Sequence, residues 1–172
     1  MTNPMTGEEL RELQRPIKDR YGDDPAAAEI TLEADGTLEE DIACSVQTGR
    51  ALVKAGLHPG TGGDGSLACS GDMLLQALVA CAGVTMRSVA TSMGLTVSGS
   101  VHAEGDLDWR GTLAVDKETA VGFKAIRLRF ELDSEASEEE LATLQRLTER
   151  YCVVFQTLAS SPQLSVSLGR AL

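Results

Sequence analysis

Four cysteines are the side chains in this sequence best suited to nucleophilic and redox chemistry: Cys44, Cys69, Cys81 and Cys152. A cysteine thiolate attacks electrophilic oxygen and sulfur atoms, and its oxidation products form disulfides with neighbouring thiols. No two of the four form a CxxC pair, and four are too few for a disulfide framework in a chain of 172 residues. We therefore interpret them as individual thiols.

Cys81 and Cys152 each have two interpretations. Free cysteine is among the most buried residue types and behaves as a small hydrophobe, so both residues fit a core position. A reactive thiol is the alternative, and their separation along the chain does not show whether they are neighbours. Cys44 alternates with apolar residues and is predicted to be a strand core residue. Cys69 is predicted to be buried or inert, with a third redox thiol as the alternative.

The sequence has no pattern typical of a metal ion or a nucleotide. Its two histidines, His58 and His102, do not lie at zinc-ligand spacing from a cysteine. The glycine-rich stretch 58–65 matches neither the GxGxxG nor the GxxxxGK phosphate-binding pattern. We predict no metal and no cofactor, and we interpret both histidines as structural.

Charge and hydropathy exclude several partners. The chain carries 15 Lys and Arg against 26 Asp and Glu, a net charge of −11, which repels a phosphate backbone. The sequence has neither a run of about 18 apolar residues nor the basic and apolar regions of a signal peptide at its start. We expect a cytoplasmic protein of one domain with an appended segment, without a nucleic-acid or membrane partner.

The N-terminal part of the chain is predicted to contain a helical extension followed by strands. The extension spans 1–27, and Pro16 breaks or shortens its charged helix, 7–21. Alternating apolar and polar residues then predict a hairpin with Asp35-Gly36 as its turn. Three strands are predicted here, at about 28–38, 41–48 and 50–54.

The remaining chain completes a domain that spans 28–172 and contains two long helices. The first, Asp72–Met93, is almost uncharged, so nearly its whole surface must be covered. The second begins at Ser137 and extends to about 158, with Cys152 on its inner face. Further strands are predicted at about 96–103, 124–132 and 164–168. Together these elements predict an α+β fold with an antiparallel sheet and two long helices.

Two stretches around the cysteines resemble the OsmC/Ohr family, the osmotically inducible protein C and organic hydroperoxide resistance proteins. Ser70–Met86 (SGDMLLQALVACAGVTM), followed by Gly94-Leu95, is similar to the family's central helix, PEELLLAALASC…TM…GL. Glu149–Leu158 (ERYCVVFQTL) is similar to the helix AE-x-CPVSxTL, which carries the family's second cysteine. The resemblance extends over about 28–168 and keeps both cysteine helices in the family's order.

This resemblance implies a thiol-dependent peroxidase that reduces organic hydroperoxides. The peroxidatic cysteine of the family corresponds to Cys81, and the resolving cysteine corresponds to Cys152. The implied reductant is a dithiol, typically a dihydrolipoyl group. Family members form intertwined homodimers with both sites at the interface, which would cover an uncharged helix such as Asp72–Met93.

The chain departs from the family at the residues that support the peroxidatic thiolate. The family has a glutamate ten residues before that cysteine, where this chain has Gly71. Asp72 is the nearest carboxylate, one residue out of register, and it is equally explained as an acidic residue in a first helical turn. The family's arginine comes from the N-terminal strand region. Arg50 is its best counterpart here, with Arg87 and Arg150 as alternatives.

A further departure follows the second cysteine, where the family's proline is replaced by Val153. This predicts that Cys152 lies within a continuous helix, because a typical helix-start residue is missing. The departures leave an alternative function: a non-catalytic ligand-binding or redox-sensing module of the same fold that lost the supporting arginine and glutamate. A structural interaction protein, whose thiols form no disulfide, is a third alternative.

Overall fold

The longest element is helix α2, Ser70–Met93, which carries Cys81. A computed structural model describes residues 6–23, 35–39, 43–47 and 52–169 of the chain. Helix α2 is rich in leucine, alanine and methionine, which favour helices. It ends at Gly94, whose positive φ of 73° lets its N–H bond the carbonyls of Ala90 and Thr91. The helix predicted from the sequence is confirmed.

The hydrophobic core lies between α2 and a second helix, α4, Glu138–Tyr151. Side chains four residues apart on α2 share one face, and that face is the buried one. The buried residues of α2 are Leu78, Ala82, Met86 and Ala90. Leu144 and Thr148, also four residues apart, supply the buried face of α4. A capping box starts α4, because the Ser137 hydroxyl accepts from the Glu140 N–H while the Glu140 carboxylate accepts from the Ser137 N–H.

The second predicted helix is divided in two. Helix α4 ends at Tyr151, and a separate helix, α5, spans Val153–Ala159. Cys152 stands between them with extended backbone, φ −75° and ψ 107°. The prediction of a continuous helix through Cys152 is therefore wrong: helical periodicity on both sides of residue 152 does not require helical dihedrals at that residue.

A four-stranded sheet precedes α2 in the order β1-β2-β3-β4. Its strands are β1 Asp35–Glu39, β2 Ala43–Gln47, β3 Leu52–Gly56 and β4 Ala68–Cys69. The first three pair antiparallel, while β3 and β4 pair parallel. The predicted turn at Asp35-Gly36 is wrong, because both residues lie inside β1 and Asp35 pairs with Gln47. The pairing with β2 overrides the local preference of that dipeptide for a turn.

An antiparallel pair of long strands follows α2. Strand β5 spans Ser98–Leu107 and β6 spans Phe123–Asp133, both longer than predicted. They are joined through a short helix, α3, Trp109–Thr112. The outer face of the pair is charged: Arg127 bonds both Glu104 and Asp106 across the strands. This exposed face agrees with the alternating sequence, and the inner face packs on α2.

The predicted N-terminal helix is present as α1, Gly7–Asp23, and Pro16 does not break it. A proline inside a helix removes one backbone hydrogen bond, and here the helix continues past it. Packing of α1 on α2 is close at Gly7, where an added methyl carbon would lie 2.7 Å from the carbonyl oxygen of Thr91.

The last predicted strand is absent from the structure, in which residues 161–169 have no regular secondary structure. Strand backbone needs a neighbouring strand for its hydrogen bonds, and the described strands of this chain do not provide one for this segment. Its apolar side chains are almost fully exposed: Leu164, Val166 and Leu168. The prediction of a strand at 164–168 is therefore wrong for the isolated chain.

Helix α2 is also incompletely covered. Within the described residues it is the one helix long and apolar enough to cross a membrane by length and composition, and only 22% of its most apolar stretch is buried. Its packing against α4 and the β5–β6 pair identifies it as a core helix of a folded domain. Val84, at 71% exposure, marks an uncovered side.

Candidate functional site

The two cysteines singled out by the sequence come together where α2 meets the junction of α4 and α5. Cys81 follows the buried Leu78 by one turn of α2 and is itself half-buried. Cys152 is 1% exposed and forms both the last cap of α4 and the first cap of α5. Both are free thiols, and a hydrogen bond from the Cys152 thiol is one of the causes that lower the pKa of Cys81.

The Cys81 sulfur is held in a group of uncharged donors. Partial burial opposes its ionisation, but hydrogen bonds outweigh that effect and lower the pKa of Cys81 below its ordinary value. The donors are the backbone N–H of Val154, the thiol of Cys152, the backbone N–H of Val153 and the hydroxyl of Thr85. Each stabilises the thiolate more than the thiol, so the thiolate of Cys81 is the favoured nucleophile of the pair.

Cys152 is affected in the opposite direction. Burial is the largest cause, and it raises the pKa of the Cys152 thiol above its ordinary value. The neighbouring Cys81 adds to this, both as the acceptor of the Cys152 proton and, when ionised, as a like charge. Donation from the Phe155 N–H acts against these effects without reversing them. Cys81 is therefore expected to ionise at a lower pH than Cys152.

This arrangement has a specific chemical capacity. A low-pKa thiolate that is partly accessible reacts with electrophiles, and oxidation at its sulfur forms a sulfenic acid. A protonated thiol in contact with that sulfur is placed to condense with it and form a disulfide. Cys81 and Cys152 have these two properties, respectively.

The sequence analysis did not identify two groups of hydrogen-bond donors that lower the pKa of Cys81. Thr85 lies four residues after Cys81, so their side chains share one face of α2, and this spacing was a usable signal. The amides of Val153 and Val154 gave no such signal. Their role depends on the helix break at Cys152, which the sequence pattern did not predict.

The predicted supporting residues are not brought to Cys81 within the described part of the chain. Arg50 lies outside the described residues. Asp72 is exposed in the first turn of α2, about 13 Å along the helix axis from Cys81. There its negative charge interacts favourably with the helix dipole. The alternative Arg87 donates to the carbonyl of Val97, and the alternative Arg150 lies over the ring of Tyr151.

Gly71, which stands where the family has glutamate, lies near the start of α2. A methyl carbon added there would lie 3.6 Å from both the Cys69 sulfur and the Phe123 ring, an ordinary contact distance. Cys69 is half-buried at the cap of α2, and its side chain forms no capping bond. Cys44 lies in β2 as predicted, opposite Ala55 of β3.

The predicted structural histidines have different surroundings. The His58 ring stacks on Trp109 with ring centroids 5.1 Å apart, and its Nδ1 accepts from the Gly60 N–H at 2.9 Å. These contacts tie the glycine-rich loop to α3. His102 is exposed on β5, opposite Arg129. In the described ranges, no group of three or more His, Cys, Asp or Glu side chains is close enough to hold a metal ion.

An apolar cleft of about 360 Å³ lies between α2, β6 and α5. Leu78, one turn before Cys81, and Phe155, three residues after Cys152, contribute to its wall. Its other lining residues are Phe123, Lys124, Ala125, Ile126, Leu128, Leu158 and Ala159. Lys124 is the charged group of this lining, and its ammonium lies 3.4 Å from the Asp108 carboxylate.

The fold is similar to several solved structures. An OsmC-like protein from Mycoplasma pneumoniae aligns with a TM-score of 0.65 and 18% identity, covering 77% of this chain and 90% of the other. A hypothetical protein from Aquifex aeolicus aligns with a TM-score of 0.59 and 16% identity, covering 77% and 90%. An OsmC-like protein of unknown function from Vibrio cholerae aligns with a TM-score of 0.56 and 14% identity, covering 75% and 94%.

A search of functionally curated proteins gives no match. The family comparison is more informative, because the OsmC-like protein family matches residues 63–167, more than half of the chain. The matched range includes α2, both long strands and the α4–α5 junction, and therefore both Cys81 and Cys152. The chain belongs to the OsmC-like protein family.

Proposed function

We propose that this protein is a thiol-dependent peroxidase that reduces organic hydroperoxides, with Cys81 as the attacking thiolate and Cys152 as the resolving thiol. The observation that carries the proposal is that Cys81 and Cys152 act on each other where α2 meets the α4–α5 junction, with the pKa of Cys81 lowered and the pKa of Cys152 raised. Membership of the OsmC-like family supports it.

The reaction proceeds in three balanced steps. The Cys81 thiolate attacks the terminal oxygen of a hydroperoxide, the O–O bond breaks, and the alkoxide takes up a proton and leaves as an alcohol. Cys81 is now a sulfenic acid. The Cys152 sulfur displaces its oxygen as water and forms a disulfide. A dithiol reductant, such as a dihydrolipoyl group, then reduces this disulfide and is itself oxidised to a cyclic disulfide.

The apolar cleft supports an organic substrate. Burial of a hydrocarbon chain against Leu78, Ile126 and Phe155 removes apolar surface from water, at about 25 cal/mol per Å². Hydrogen peroxide has no such surface to bury. We therefore expect turnover to favour hydroperoxides with an apolar group over hydrogen peroxide.

We also propose that the active protein is a homodimer. Val84 of α2 and the C-terminal residues Leu164, Val166 and Leu168 are exposed in the single chain. A second copy provides strand neighbours for residues 164–168 and cover for α2, as the resemblance to intertwined dimers implies. Arg50 is the counterpart of the family's arginine. A supporting role for Arg50 and for the Asp72 carboxylate remains a prediction, and it applies to the site in the dimer.

The decisive experiment follows the two thiols through one cycle. The protein is treated with one equivalent of cumene hydroperoxide and then with dihydrolipoamide, and its disulfides are mapped by mass spectrometry after thiol labelling. We expect a Cys81–Cys152 disulfide that forms with peroxide and is lost with the dithiol. Cys81→Ser should abolish peroxide consumption, and Cys152→Ser should leave a sulfenic acid on Cys81 that dimedone traps. Cys69→Ser is the matched control and should behave as the wild type.

A non-catalytic ligand-binding or redox-sensing module is the second candidate. Gly71 provides no carboxylate near Cys81, and Asp72 is exposed, which favours a site without full catalytic support. The apolar cleft remains available to a ligand in either case. If both thiols stay reduced with cumene hydroperoxide while an apolar fluorescent probe binds the cleft, the binding module is correct. If the Cys81–Cys152 disulfide forms with peroxide but the dithiol does not reduce it, the protein does not turn over, and the redox sensor is favoured.

A further inference from the structure

Two cavities lie side by side along β6. The smaller, of about 360 Å³, is the apolar cleft between α2, β6 and α5. The larger, of about 650 Å³, lies between β6 and α4 and reaches α2 at Met86. Two residues line both cavities: Leu128, in the middle of β6, and Phe155, in α5. The two cavities therefore meet at Leu128 and Phe155.

The thiol pair lies at the level of this meeting point along the helices. On α2, Cys81 comes three residues after Leu78, which lines the smaller cavity, and five residues before Met86, which lines the larger. At a rise of about 1.5 Å per residue, these separations are about 4.5 Å and 7.5 Å along the helix axis. Cys152 stands between α4, which lines the larger cavity, and α5. Phe155, at the boundary of the cavities, follows Cys152 by one helical turn.

The charges around the two cavities favour a neutral hydrocarbon chain as the bound group. The basic side chains of the lining, Lys124 and Arg129, each lie within 3.4 Å of a neighbouring carboxylate. Glu138 and Glu149 add negative charge at the larger cavity. An anionic ligand would meet paired cations and repelling carboxylates there, and burying an unpaired charge is costly. Between the charged edges, β6 presents the apolar side chains of Ile126, Leu128, Phe130 and Leu132.

We propose that Phe155 is a specificity-determining residue, whose ring confines the bound hydrocarbon group to the smaller cavity and so limits the length of an unbranched alkyl chain. The inference rests on the proposed function and names its substrate class, neutral alkyl hydroperoxides of limited chain length. The smaller cavity receives the chain because Lys124 is its one charged lining residue, whereas the larger has three. A chain in the smaller cavity ends against Phe155, which is half-buried. Without that ring, the chain continues over Leu128 into the larger cavity.

The test measures the binding of 1-alkanols, from butanol to decanol, by isothermal titration calorimetry. These are the alcohols that alkyl hydroperoxides leave on reduction, and they have no O–O bond, so their binding is independent of turnover. Each buried methylene group strengthens binding about fourfold. Affinity for the wild type should therefore rise with chain length and level off where the chain reaches Phe155. In Phe155→Ala the rise should continue, with decanol bound at least about tenfold more tightly than by the wild type.

A second substitution shows whether the longer chain enters the larger cavity. Ala142 is exposed on α4 and lines the larger cavity but not the smaller. Adding Ala142→Trp to Phe155→Ala places an indole ring in the larger cavity and should restore the wild-type length limit. Tyr151→Ala removes another aromatic ring near the α4–α5 junction, one that lines neither of these cavities, and should keep that limit. If Ala142→Trp does not shorten the chain that Phe155→Ala accepts, the proposal is wrong.

The wild type alone provides a test in the case in which Phe155→Ala does not fold. An affinity that keeps rising about fourfold per methylene group through decanol overturns the proposal. Phe155→Leu keeps an apolar side chain for packing and should move the plateau in the same direction by a smaller amount.

The alkanol series also separates this inference from the proposed peroxidase activity. If the length limit depends on Phe155 while both thiols stay reduced with cumene hydroperoxide, the peroxidase proposal fails and the role of Phe155 in binding stands. If alkyl hydroperoxides are reduced with the same dependence on chain length by the wild type and by Phe155→Ala, the peroxidase proposal stands and this inference fails.

Discussion

Thr85 lies four residues after Cys81, one turn further along the same helix, and its hydroxyl is one of the groups that lower the pKa of Cys81. Both residues belong to α2, so their relative position is held by helix geometry and does not depend on the packing of a loop. The remaining donors to this sulfur come from the α4–α5 junction. Cys81 is thus stabilised as a thiolate from two independent elements.

Removing the Thr85 hydroxyl should make Cys81 less acidic. Thr85→Val keeps the shape of the side chain but has no donor, so we expect the Cys81 midpoint for alkylation to rise by about one pH unit or less. Thr85→Ser retains the hydroxyl and is the control, with a midpoint close to the wild type. If Thr85→Val and Thr85→Ser titrate together, the hydroxyl does not stabilise the thiolate.

The pKa of Cys81 should lie below that of an ordinary cysteine, and the pKa of Cys152 should lie above it. The donors around Cys81 favour its charged form, so its alkylation should reach half-maximal rate at a pH below that of an unperturbed thiol. Burial and the adjacent Cys81 disfavour the Cys152 thiolate, so its midpoint should lie above that pH. Alkylation at several pH values with peptide-resolved mass spectrometry measures both, and a reversed order would assign the attacking role to Cys152.

Self-association should depend on the exposed C-terminal segment. Replacing Leu164, Val166 and Leu168 by serine removes apolar side chains that the single chain leaves uncovered. We expect the wild type to sediment as a dimer and the triple variant to shift toward monomer. Leu113→Ser, a substitution of another exposed leucine in a different region, is the control. A triple variant with the wild-type mass would exclude this segment from the interface.

Two glycines should respond in opposite ways to alanine. Gly83 lies inside α2, and an added methyl carbon would lie 3.5 Å from Val101, so Gly83→Ala should stabilise the fold by about 0.5–1 kcal/mol through helix propensity. Gly99 has φ +131°, and its added carbon would lie 1.9 Å from the carbonyl oxygen of Glu131. Gly99→Ala should cost about 2 kcal/mol or more. Urea denaturation measures both, and loss of stability in Gly83→Ala would contradict the helix argument.

Features of the fold that depend on residues close together in the sequence could be predicted from the sequence. The leucine-, alanine- and methionine-rich run that ends at Gly94 predicted α2, and the nearly perfect alternation over 124–132 predicted β6. The same locality explains two errors. Asp35-Gly36 favours a turn by itself but lies in β1 because β2 pairs with it, and residues 164–168 alternate like a strand but have no partner strand among the described residues.

By itself, the sequence singled out the two residues proposed to carry the chemistry, Cys81 and Cys152, and the family whose pattern they follow. The tertiary structure decided what those residues do to each other. It brought Cys81 and Cys152 together where α2 meets the α4–α5 junction, and it broke the helix at Cys152. Helical periodicity reports which side chains face the core, since it depends on residues three or four apart. The hydrogen-bond partner of a backbone amide depends on residues that are distant in the sequence and are brought together by packing. Periodicity carries no information about such residues.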